Sequence, residues 1–587
     1  MCLIQEVLAM AGLSQQLGER FAAAYDAREQ KKAKRTYTPR QARVRSIILT
    51  VVFAVCFYYL YLPALNPKDI ALYLYCGGVL ALYFILRLVY SGIYTSSIKA
   101  KELGGFWWKN CRIAVIAFLL LLAMGLVGGA VSNEFVAART YHDLLDVENG
   151  DFTSDVYTIS LDQIPTLDAS SASTLGDRAL GELSDIVSQY EAESLYTQIN
   201  YQGRPVRVAS LKYGDIVKWF VNRGGGLPGY IMVDMVSQQA TIVRLSEGIR
   251  YSPSERFGRD LVRHLRFQYP TYLFDTPHLE IDEDGVPYWI CPRLDKTIGF
   301  LGGTDVEGAV IMNAVTGEST YYALTDIPEW VDQVYSTELI LKQYSYYGKY
   351  GSGFINSLLG QSGVTKTTEG SNYLALNDDV YLYTGITSAN NDNSTIGFIL
   401  CNQRTKETRY YAVTGAKEQS AMTSAAGAVQ DQSYSATFPL LLNISEQPTY
   451  FIALKDNADL VKQYAMVNVS QYQLVATGAS LKECEQNYNA LLAQNGIETS
   501  SSPETVDAPE LKQVNGMIES ISSCVVDGTS IYYLRLTEDT VYYEISAADF
   551  PHAAIAKPGD SVQLTVPTDS TGSIRPVSSV HFPWDDG

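Results

Sequence analysis

The sequence predicts a membrane-anchored α+β protein. It has three N-terminal transmembrane helices, then tandem α+β modules made of antiparallel sheets with covering helices, then a small C-terminal β-barrel. Three observations support this. Three apolar runs long enough to span a bilayer precede residue 133. A hairpin pattern recurs three times between residues 229 and 413, and several short strand-like runs follow a polar linker. A chain of 587 residues is also expected to form several domains.

Charge divides the chain at the end of the third apolar run. Residues 1–133 carry 15 Lys or Arg and 6 Asp or Glu, a net of +9, whereas residues 134–587 carry 29 against 57, a net of −28. A basic anchor on one side of a membrane and an acidic body on the other would produce this split. The acidic body argues against nucleic acid as a partner, since phosphate binding needs a basic face.

Residues 1–45 are predicted to be a basic cytoplasmic segment. Apolar side chains at helical spacing over residues 3–26 predict an amphipathic helix, which would lie on the membrane, on a partner, or simply at the surface. Residues 28–45 hold eight basic residues and one acidic residue, a composition typical of the cytoplasmic face. The segment has no consecutive arginine pair, and its apolar run starts too late for a cleavable signal peptide.

Residues 46–132 are predicted to cross the membrane three times, over Ile47–Leu65, Ile70–Tyr90 and Arg112–Val131. Basic residues before the first span and between the second and third predict an N-terminus inside the cell and a C-terminus outside it. Arg87, near the inner end of the second span, is expected to extend toward the interface. The spans contain no acidic residue, which argues against an ion pathway through them.

Residues 133–200 are predicted to be a linker followed by an amphipathic helix over Leu175–Tyr196. Residues 201–497 then contain three segments that superpose without gaps, each beginning with a glycine: Gly229, Gly308 and Gly397. Five positions after each glycine an Asp or Asn opens a turn, and a second β-rich run follows it. Each segment therefore predicts a β-hairpin.

A further β-run precedes each hairpin, at residues 206–211, 287–294 and 380–386, so the predicted unit has at least three antiparallel strands. The Asp284-Gly285 pair predicts a tight turn before the second of these runs. Helices are predicted over residues 254–267, 329–346 and 481–494, and a fourth hairpin over residues 449–469. Such helices can cover one face of each sheet.

The repeated unit resembles the PepSY family of extracytoplasmic modules. The middle copy, with Asn313, Thr316, Gly317 and Glu318, follows the typical turn of that family, whereas Gln238 and Lys406 replace Gly317 in the other copies. The resemblance covers residues 206–475. It implies small α+β domains of the kind found in peptidase propeptides and in membrane-anchored bacterial envelope proteins, where they are often regarded as inhibitory or binding modules.

Residues 498–510 are predicted to be a linker, and residues 511–587 a barrel of five or six short strands. A helix-like break at residues 548–555 and a Lys-Pro-Gly-Asp turn before a late strand resemble the pattern of an OB-type barrel. Because no basic groove is evident, a structural or protein-binding role is favoured over nucleic-acid binding.

No catalytic, cofactor-binding or metal-binding residues are predicted, and no binding residues can be assigned. The five histidines are scattered, no CxxC, HExxH, GxSxG or Walker pattern occurs, and no cofactor is expected. Asp282, Glu283 and Asp284 lie in a predicted tight turn and lack the spacing of a calcium loop. His264 is expected on a solvated helix face and Gly224–Gly226 in a flexible loop. The cysteines at 291, 401, 484 and 524 could form disulfides in three pairings, but their separation favours free, buried thiols.

These observations predict a multi-pass protein of a bacterial cell membrane that binds or scaffolds envelope proteins or cell-wall material and has no catalytic activity of its own. Two alternatives stay open. One is a regulator or inhibitor of an envelope peptidase, suggested by the PepSY resemblance. The other is an accessory subunit of a transport or secretion complex, suggested by the three spans. The oligomeric state is not predicted.

Overall fold

The computed structural model describes residues 38–91, 100–156, 164–376, 379–390, 394–497, 511–526, 529–537, 539–547, 550–567, 574–577 and 579–582. The chain forms two compact units, residues 1–496 and residues 497–587, and each is described by itself below. The predicted amphipathic helix over residues 3–26 and the predicted linker over residues 498–510 lie outside the described residues.

Three helices of the first unit are long and apolar enough to cross a membrane: α1 (Pro39–Tyr61), α2 (Ile70–Ser91) and α3 (Ala100–Val131). This confirms the prediction of three spanning helices. The Thr38 side chain caps α1 by accepting a hydrogen bond from the Gln41 amide, so the helix begins eight residues before the predicted span. Arg87 is 3% exposed and so packs against neighbouring residues, and its extension toward the interface stays a prediction.

The segment after α3 is only partly the linker and helix that the sequence predicts. It contains α4 (Glu134–His142), β1 (Glu148–Asn149), α5 (Phe152–Asp155) and α6 (Ala169–Gly181). The predicted helix over Leu175–Tyr196 is therefore wrong beyond Gly181. Residues 190–192 instead form β2 (Tyr190–Ala192), which pairs with residues 211–213 at the edge of the first sheet, so sheet pairing overrides the local helical pattern.

Four sheets follow along the chain, and each defines one module. The first contains β2, β3 (Thr197–Tyr201), β4 (Arg204–Tyr213), β5 (Leu227–Asp234) and β6 (Ala240–Ile249), with α7 (Ile216–Asn222) between β4 and β5. A helix, α8 (Leu261–Gln268), leads to the second module. The second module contains β7 (Leu273–Phe274), β8 (His278–Ile281), β9 (Pro287–Ile298), β10 (Gly302–Asn313) and β11 (Ser319–Ala323).

The other two modules follow two helices, α9 (Thr337–Tyr350) and α10 (Gly353–Leu358). The third module contains β12 (Thr365–Thr367), β13 (Asn372–Leu376), β14 (Asp379–Ser388), β16 (Gly397–Asn402) and β17 (Thr408–Tyr411). Strand β1 joins this sheet by pairing in parallel with β17. Two short strands, β15 (Ser394–Thr395) and β18 (Gly415–Ala416), form a separate pair. After α11 (Glu418–Ala428), the fourth module contains β19 (Ser435–Ala436), β20 (Leu440–Ile444), β21 (Gln447–Lys455), β22 (Val461–Asn468) and β23 (Val475–Gly478), and α12 (Leu481–Gln494) covers it.

All four modules share one topology. Two short strands lie along one side of a long strand, a second long strand pairs antiparallel on its other side, and a return strand completes the sheet. The pairs of short strands are β2 and β3, β7 and β8, β12 and β13, and β19 and β20. The predicted hairpins, including the fourth one, are confirmed, and the fourth module follows the same order as the other three.

The Asp or Asn of each hairpin has the same structural role. Its Oδ1 atom accepts hydrogen bonds from the amides two and three residues later, which fixes the turn at Asp234, Asn313, Asn402 and Asn468. In the first three copies the residue four positions later has a left-handed backbone, with φ between 60° and 79° at Gln238, Gly317 and Lys406. The turn therefore depends on its first residue, and glycine at the later position is replaceable.

The glycine that begins each repeated segment is required for a different reason. A Cβ atom on Gly229, Gly308 or Gly397 would lie 2.0 to 2.4 Å from a carbonyl oxygen of the return strand. Only a residue without a side chain allows the two backbones to approach so closely.

Two predicted helices begin later than expected. The one predicted from residue 254 is a 3-10 turn (Phe257–Arg259) followed by α8, which Asp260 caps. The one predicted from residue 329 begins at Thr337, because the amides of Val334 and Tyr335 donate to the Gln403 carbonyl and hold the preceding stretch extended.

The second module packs on the loop between α1 and α2. The buried Arg266 donates from Nε to the Leu62 carbonyl at 3.1 Å, and the Leu65 amide donates to the Pro270 carbonyl at 2.7 Å. The Lys68 ammonium lies 2.7 Å from the Asp295 carboxylate. These bonds fix the module at one end of the first two helices.

The β9–β10 turn packs on the end of α3, at the same end of the membrane helices. The Leu301 amide donates to Ser132 Oγ at 3.0 Å, and the Tyr141 hydroxyl donates to the Ser132 carbonyl at 2.7 Å. Arg43, Lys109 and Arg112 line one cavity at the other end of the helices. The basic flanks and the modules therefore lie at opposite ends of the three-helix segment.

The second unit is a six-stranded sheet. Its strands are β24 (Leu511–Val526), β25 (Thr529–Leu536), β26 (Tyr542–Ser546), β27 (Ser561–Pro567), β28 (Ile574–Pro576) and β29 (Ser579–His581). Their order is β28-β26-β25-β24-β27-β29, and a 3-10 helix (Pro551–Ile555) occupies the predicted helix-like break. The prediction of strands is confirmed. The closed barrel is not shown, because the described strands form an open, half-barrel sheet.

Candidate functional site

A cavity of about 230 Å³ lies where the first three modules meet. Strands β3 and β4 of the first module, β8 and β9 of the second, the first turn of α9 and β13 of the third line it. Its walls come from segments almost 200 residues apart in the chain. Cavities of this kind between domains are preferred places for small-molecule binding.

Arg207 is the central cationic group of this cavity. Its residue is 4% exposed, and it points from β4 on the same sheet face as its register neighbour Gln198 on β3. The guanidinium donates to the Tyr196 carbonyl at 3.2 Å and to Gln198 Oε1 at 3.1 Å. Its carbon lies 5.9 Å from the centre of the Tyr373 ring.

No carboxylate among the described residues lies within salt-bridge distance of Arg207, and its Nε has no hydrogen-bond partner there. Burial lowers the pKa of the guanidinium, yet an arginine in a protein stays protonated. A buried charge normally needs an opposite charge and hydrogen bonds. The site therefore holds a cation whose electrostatic requirement the protein itself leaves partly unmet.

A second donor is also unused. Gln198 is 1% exposed, its Oε1 accepts from Arg207, and its Nε2 has no partner among the described residues. An unmade hydrogen bond of a buried polar group costs about 1–3 kcal/mol. Gln198 and Arg207 thus present two unsatisfied N–H donors from one face of the sheet.

The N-terminus of α9 forms another wall of the cavity. Ser336 caps the helix by accepting from the Leu339 amide at 3.4 Å and donates its hydroxyl to Asp275 at 2.7 Å. Thr337 Oγ1 lies 2.9 Å from the Tyr373 hydroxyl. The start of a helix carries partial positive charge, so α9 adds to the positive potential from Arg207. Glu338, exposed in the first turn, is the carboxylate of the lining.

The remaining polar lining is held by hydrogen bonds between modules. The His278 ring contacts the fully buried Glu280 at 3.0 Å, and Glu280 accepts from the amides of Asp332 and Gln333. Gln333 Nε2 donates to the Gln198 carbonyl at 2.7 Å. This network fixes the second module and the start of α9 relative to β3.

The residues that the sequence singled out lie outside this cavity. His264 contacts the Gly317 carbonyl at 3.1 Å and the Tyr251 ring. It therefore packs from α8 against the second module and does not lie on a solvated face. Asp282 accepts from the amides of Asp284 and Val286 and closes the predicted turn. No group of metal-ligating side chains suited to a metal ion occurs among the described residues.

The cysteines of the modules are free thiols, and Cys291, Cys401 and Cys484 are buried, as predicted. Burial raises the pKa of the Cys484 thiol to about 12, which makes it unreactive. Cys524 in the second unit is also free, but it is exposed, so the prediction of burial is wrong there.

Sequence reasoning did not identify Arg207, because its position in a β-run, VRVAS, only indicated a strand with one charged residue. One signal was available. Arg207 lies in a run that the structure buries from Pro205 to Leu211, and a charge inside a continuously buried strand needs a specific explanation.

Comparisons with known proteins do not identify the chain. No family model and no curated protein matches it. Among solved structures, a GH43 β-1,3-galactosidase with galactodeoxynojirimycin is similar over 48% of this chain and 72% of its own, at 10% identity and a TM-score of 0.15. A similarity this low carries no argument about fold or function.

Proposed function

We propose that this protein is a membrane-anchored binding or scaffold protein of a bacterial cell envelope, with its modules outside the cell membrane and no catalytic activity of its own. The observation that carries the binding role is the cavity at the module junction, where buried Arg207 has no carboxylate partner among the described residues. Its ligand is a small carboxylate.

The chemistry of the cavity favours a carboxylate over a more highly charged anion. A guanidinium offers parallel N–H donors that match the two oxygens of a carboxylate. One buried cation balances one negative charge, whereas a doubly charged phosphate would face unfavourable repulsion from Glu338. A volume of about 230 Å³ suits a ligand the size of an amino acid or a short hydroxy acid.

Ligand binding can be tested on the full chain in lipid nanodiscs. Small carboxylic acids are titrated by calorimetry beside their neutral amides and inorganic phosphate. We expect acids to bind and amides to bind at least about tenfold more weakly, the loss typical of a missing charged hydrogen bond. Arg207→Gln should abolish this preference, whereas Arg204→Gln, on the same strand but paired with Asp234, should preserve it.

Glu338→Gln separates an electrostatic role from a merely structural one. Because Glu338 is exposed, its replacement should leave the fold intact and strengthen carboxylate binding by removing a like charge. If no acid binds the unaltered chain, or if Arg207→Gln binds acids as well as the unaltered chain does, the proposed ligand class is wrong.

The proposed orientation rests on the charge split and on the placement of the modules at the end of the helices opposite the basic flanks. Cys524 gives a direct test, since it is exposed whereas Cys291, Cys401 and Cys484 are buried. A membrane-impermeant maleimide should label this protein on intact cells, and Cys524→Ser should remove that labelling. Labelling that requires cell lysis would contradict the orientation.

A further inference from the structure

The first unit exposes large apolar side chains in an uneven way. Among the described residues of 134–496, seventeen large apolar side chains are exposed. Thirteen of these lie in elements that adjoin the ends of the membrane helices or are linked to those ends by side-chain contacts. Soluble surfaces rarely concentrate apolar side chains in this way without a function.

The larger group lies on the first module and on α8. We call it the interfacial patch and define it by seven residues: Ile216, Val217, Phe220, Val221, Phe257, Val262 and Phe267. Their exposed fractions run from 48% to 72%. Four of the seven belong to α7, a helix of only seven residues, so the outer surface of α7 is largely apolar.

The interfacial patch is continuous with α1 through direct contacts. The Phe267 ring lies 6.3 Å from the rings of Tyr58 and Tyr59 in the last turn of α1. Arg263 places its guanidinium 4.4 Å from the centre of the Tyr59 ring and donates to the Phe257 carbonyl at 2.9 Å. Phe257 in turn lies 6.0 Å from Trp219 of α7. The patch therefore begins at the end of a membrane-spanning helix.

Phe257 is held exposed by an unfavourable backbone. Its φ is 56°, in the left-handed region that costs a non-glycine residue about 1–2 kcal/mol, and its side chain is 63% exposed. A strained residue that presents an aromatic ring to the outside points to a function for that ring.

Cations surround the interfacial patch although the body of the protein is strongly acidic. Arg223 lies 4.5 Å from the centre of the Phe220 ring, and Arg259 donates to the Arg223 carbonyl at 2.8 Å. The nearby acids are already engaged: Asp215 and Asp260 cap α7 and α8, and buried Glu255 accepts from Tyr213 and Trp219. Exposed apolar groups with flanking arginines match the interface of a bilayer that contains anionic lipids.

A second group adjoins the end of α3. Phe135 and Val136 of α4 are 62% and 69% exposed, only a few residues after that helix ends. The Phe135 ring packs edge-on against Phe354 at 5.2 Å, and α10 adds the exposed Ile355, Leu358 and Leu359. Apolar surface thus adjoins the membrane helices at two separate points.

We infer that the interfacial patch inserts into the headgroup region of the bilayer that α1, α2 and α3 cross, and that the group around Phe135 and Leu359 does the same beside α3. The first module then rests on the membrane surface through α7. This inference does not depend on the ligand of the cavity or on which side of the membrane the modules occupy.

The test uses the full chain in phosphatidylcholine nanodiscs, with Cys2, Cys56, Cys76 and Cys524 replaced by serine so that only the introduced thiol is labelled. A fluorophore is attached at Val221→Cys, at Leu359→Cys, or at Tyr472→Cys, a control that is 48% exposed on the fourth module. Lipids carrying a nitroxide on the headgroup should quench the first two labels several-fold more strongly than the control.

The charge contribution is tested by adding phosphatidylglycerol. Anionic lipid should increase quenching at residue 221, and the double substitution Arg223→Gln with Arg259→Gln should remove that increase. Quenching at residue 221 no stronger than at residue 472 would overturn the inference. So would energy transfer between labels on two copies without lipid quenching, because it would identify a second copy of the chain as the covering partner.

Discussion

Two buried cations of the modules have opposite surroundings. Lys455 at the end of β21 contacts the carboxylates of Asp168 and Asp459 at 2.8 Å and 3.0 Å, and its side chain is 9% exposed. Arg207 is equally inaccessible but contacts a carbonyl and an amide oxygen. Lys455 joins β21 to the segment around Asp168, and there the protein supplies opposite charges in direct contact. Arg207 lines the junction cavity, and no carboxylate of the described residues lies within salt-bridge distance of it, although Asp168 raises its pKa from farther away.

The largest loss of stability is expected at Lys455, the buried cation that contacts two carboxylates. Lys455→Met leaves Asp168 and Asp459 without their cation, and we expect the fourth module to lose about 3 kcal/mol, the lower end of the cost of breaking a buried ion pair, because Asp459 is partly exposed. Hydrogen exchange of the β21 and β22 amides would measure the loss. Lys462→Met, which removes a more exposed partner of Asp456, should cost far less, because solvent screens that ion pair. Equal losses in both variants would contradict the comparison.

A repeated turn should give an intermediate effect. Asn402→Ala removes the turn-closing acceptor and the contact from Nδ2 to Asp379 at 2.8 Å, and should cost about 2 kcal/mol. Asn313→Ala removes only the turn-closing acceptor and should cost about 1 kcal/mol. Hydrogen exchange in β16 and β10 would report the difference. Identical losses would show that the Asp379 contact adds nothing.

The unpaired cation should be close to neutral for stability. Arg207→Met removes a desolvated charge but leaves the Tyr196 carbonyl and Gln198 unpaired, and these opposing terms should cancel to within about 1 kcal/mol. Thermal unfolding without ligand would measure it. A loss as large as that of Lys455→Met would make Arg207 a structural residue and break the comparison.

A buried carboxylic acid, Glu418, extends the comparison of buried charged groups. Glu418 is 1% exposed and accepts from the Tyr383 hydroxyl at 3.0 Å, and burial raises its pKa above 4.5. Because the folded state holds this proton more tightly, the stabilisation is complete below pH 4.5 and is lost as the pH rises through the folded-state pKa. Glu418→Gln should flatten this part of the pH profile and change neutral stability least of all the variants. An unchanged profile would contradict the assignment.

Glu418 and Arg207 differ in how each can become neutral. A carboxylate can keep a proton, so Glu418 needs no partner from outside. Arginine stays charged in proteins, and an anion is the remaining means of neutralising Arg207 in its cavity.

The sequence predicted the features that arise from local chemistry. The turn residues Asp234, Asn313 and Asn402 and the repeated glycines located the hairpins, because Asx turns and close backbone approach restrict residue type locally. The helix over residues 481–494 was also predicted correctly. The helix over residues 175–196 failed because Tyr190 gains a strand partner 23 residues later at Tyr213.

The candidate site could not be predicted in this way. Arg207 is distinguished by lining a cavity with no carboxylate in contact, and that depends on residues from three modules which fold around it. Likewise, the apolar run of α7, IVKWFVN, carries no feature in the sequence that distinguishes an exposed helix from a buried one. Their exposure follows from how the first module packs against α8.

The hydrogen bonds from Arg266 to the Leu62 carbonyl and from Leu301 to Ser132 have a consequence for how ligands arrive. These bonds attach the modules to the membrane helices at two separate points. The modules therefore cannot rotate about a single connection, and the opening of the cavity keeps one orientation relative to the membrane plane. A ligand diffusing along the surface and one arriving from the bulk would therefore encounter that opening at different rates.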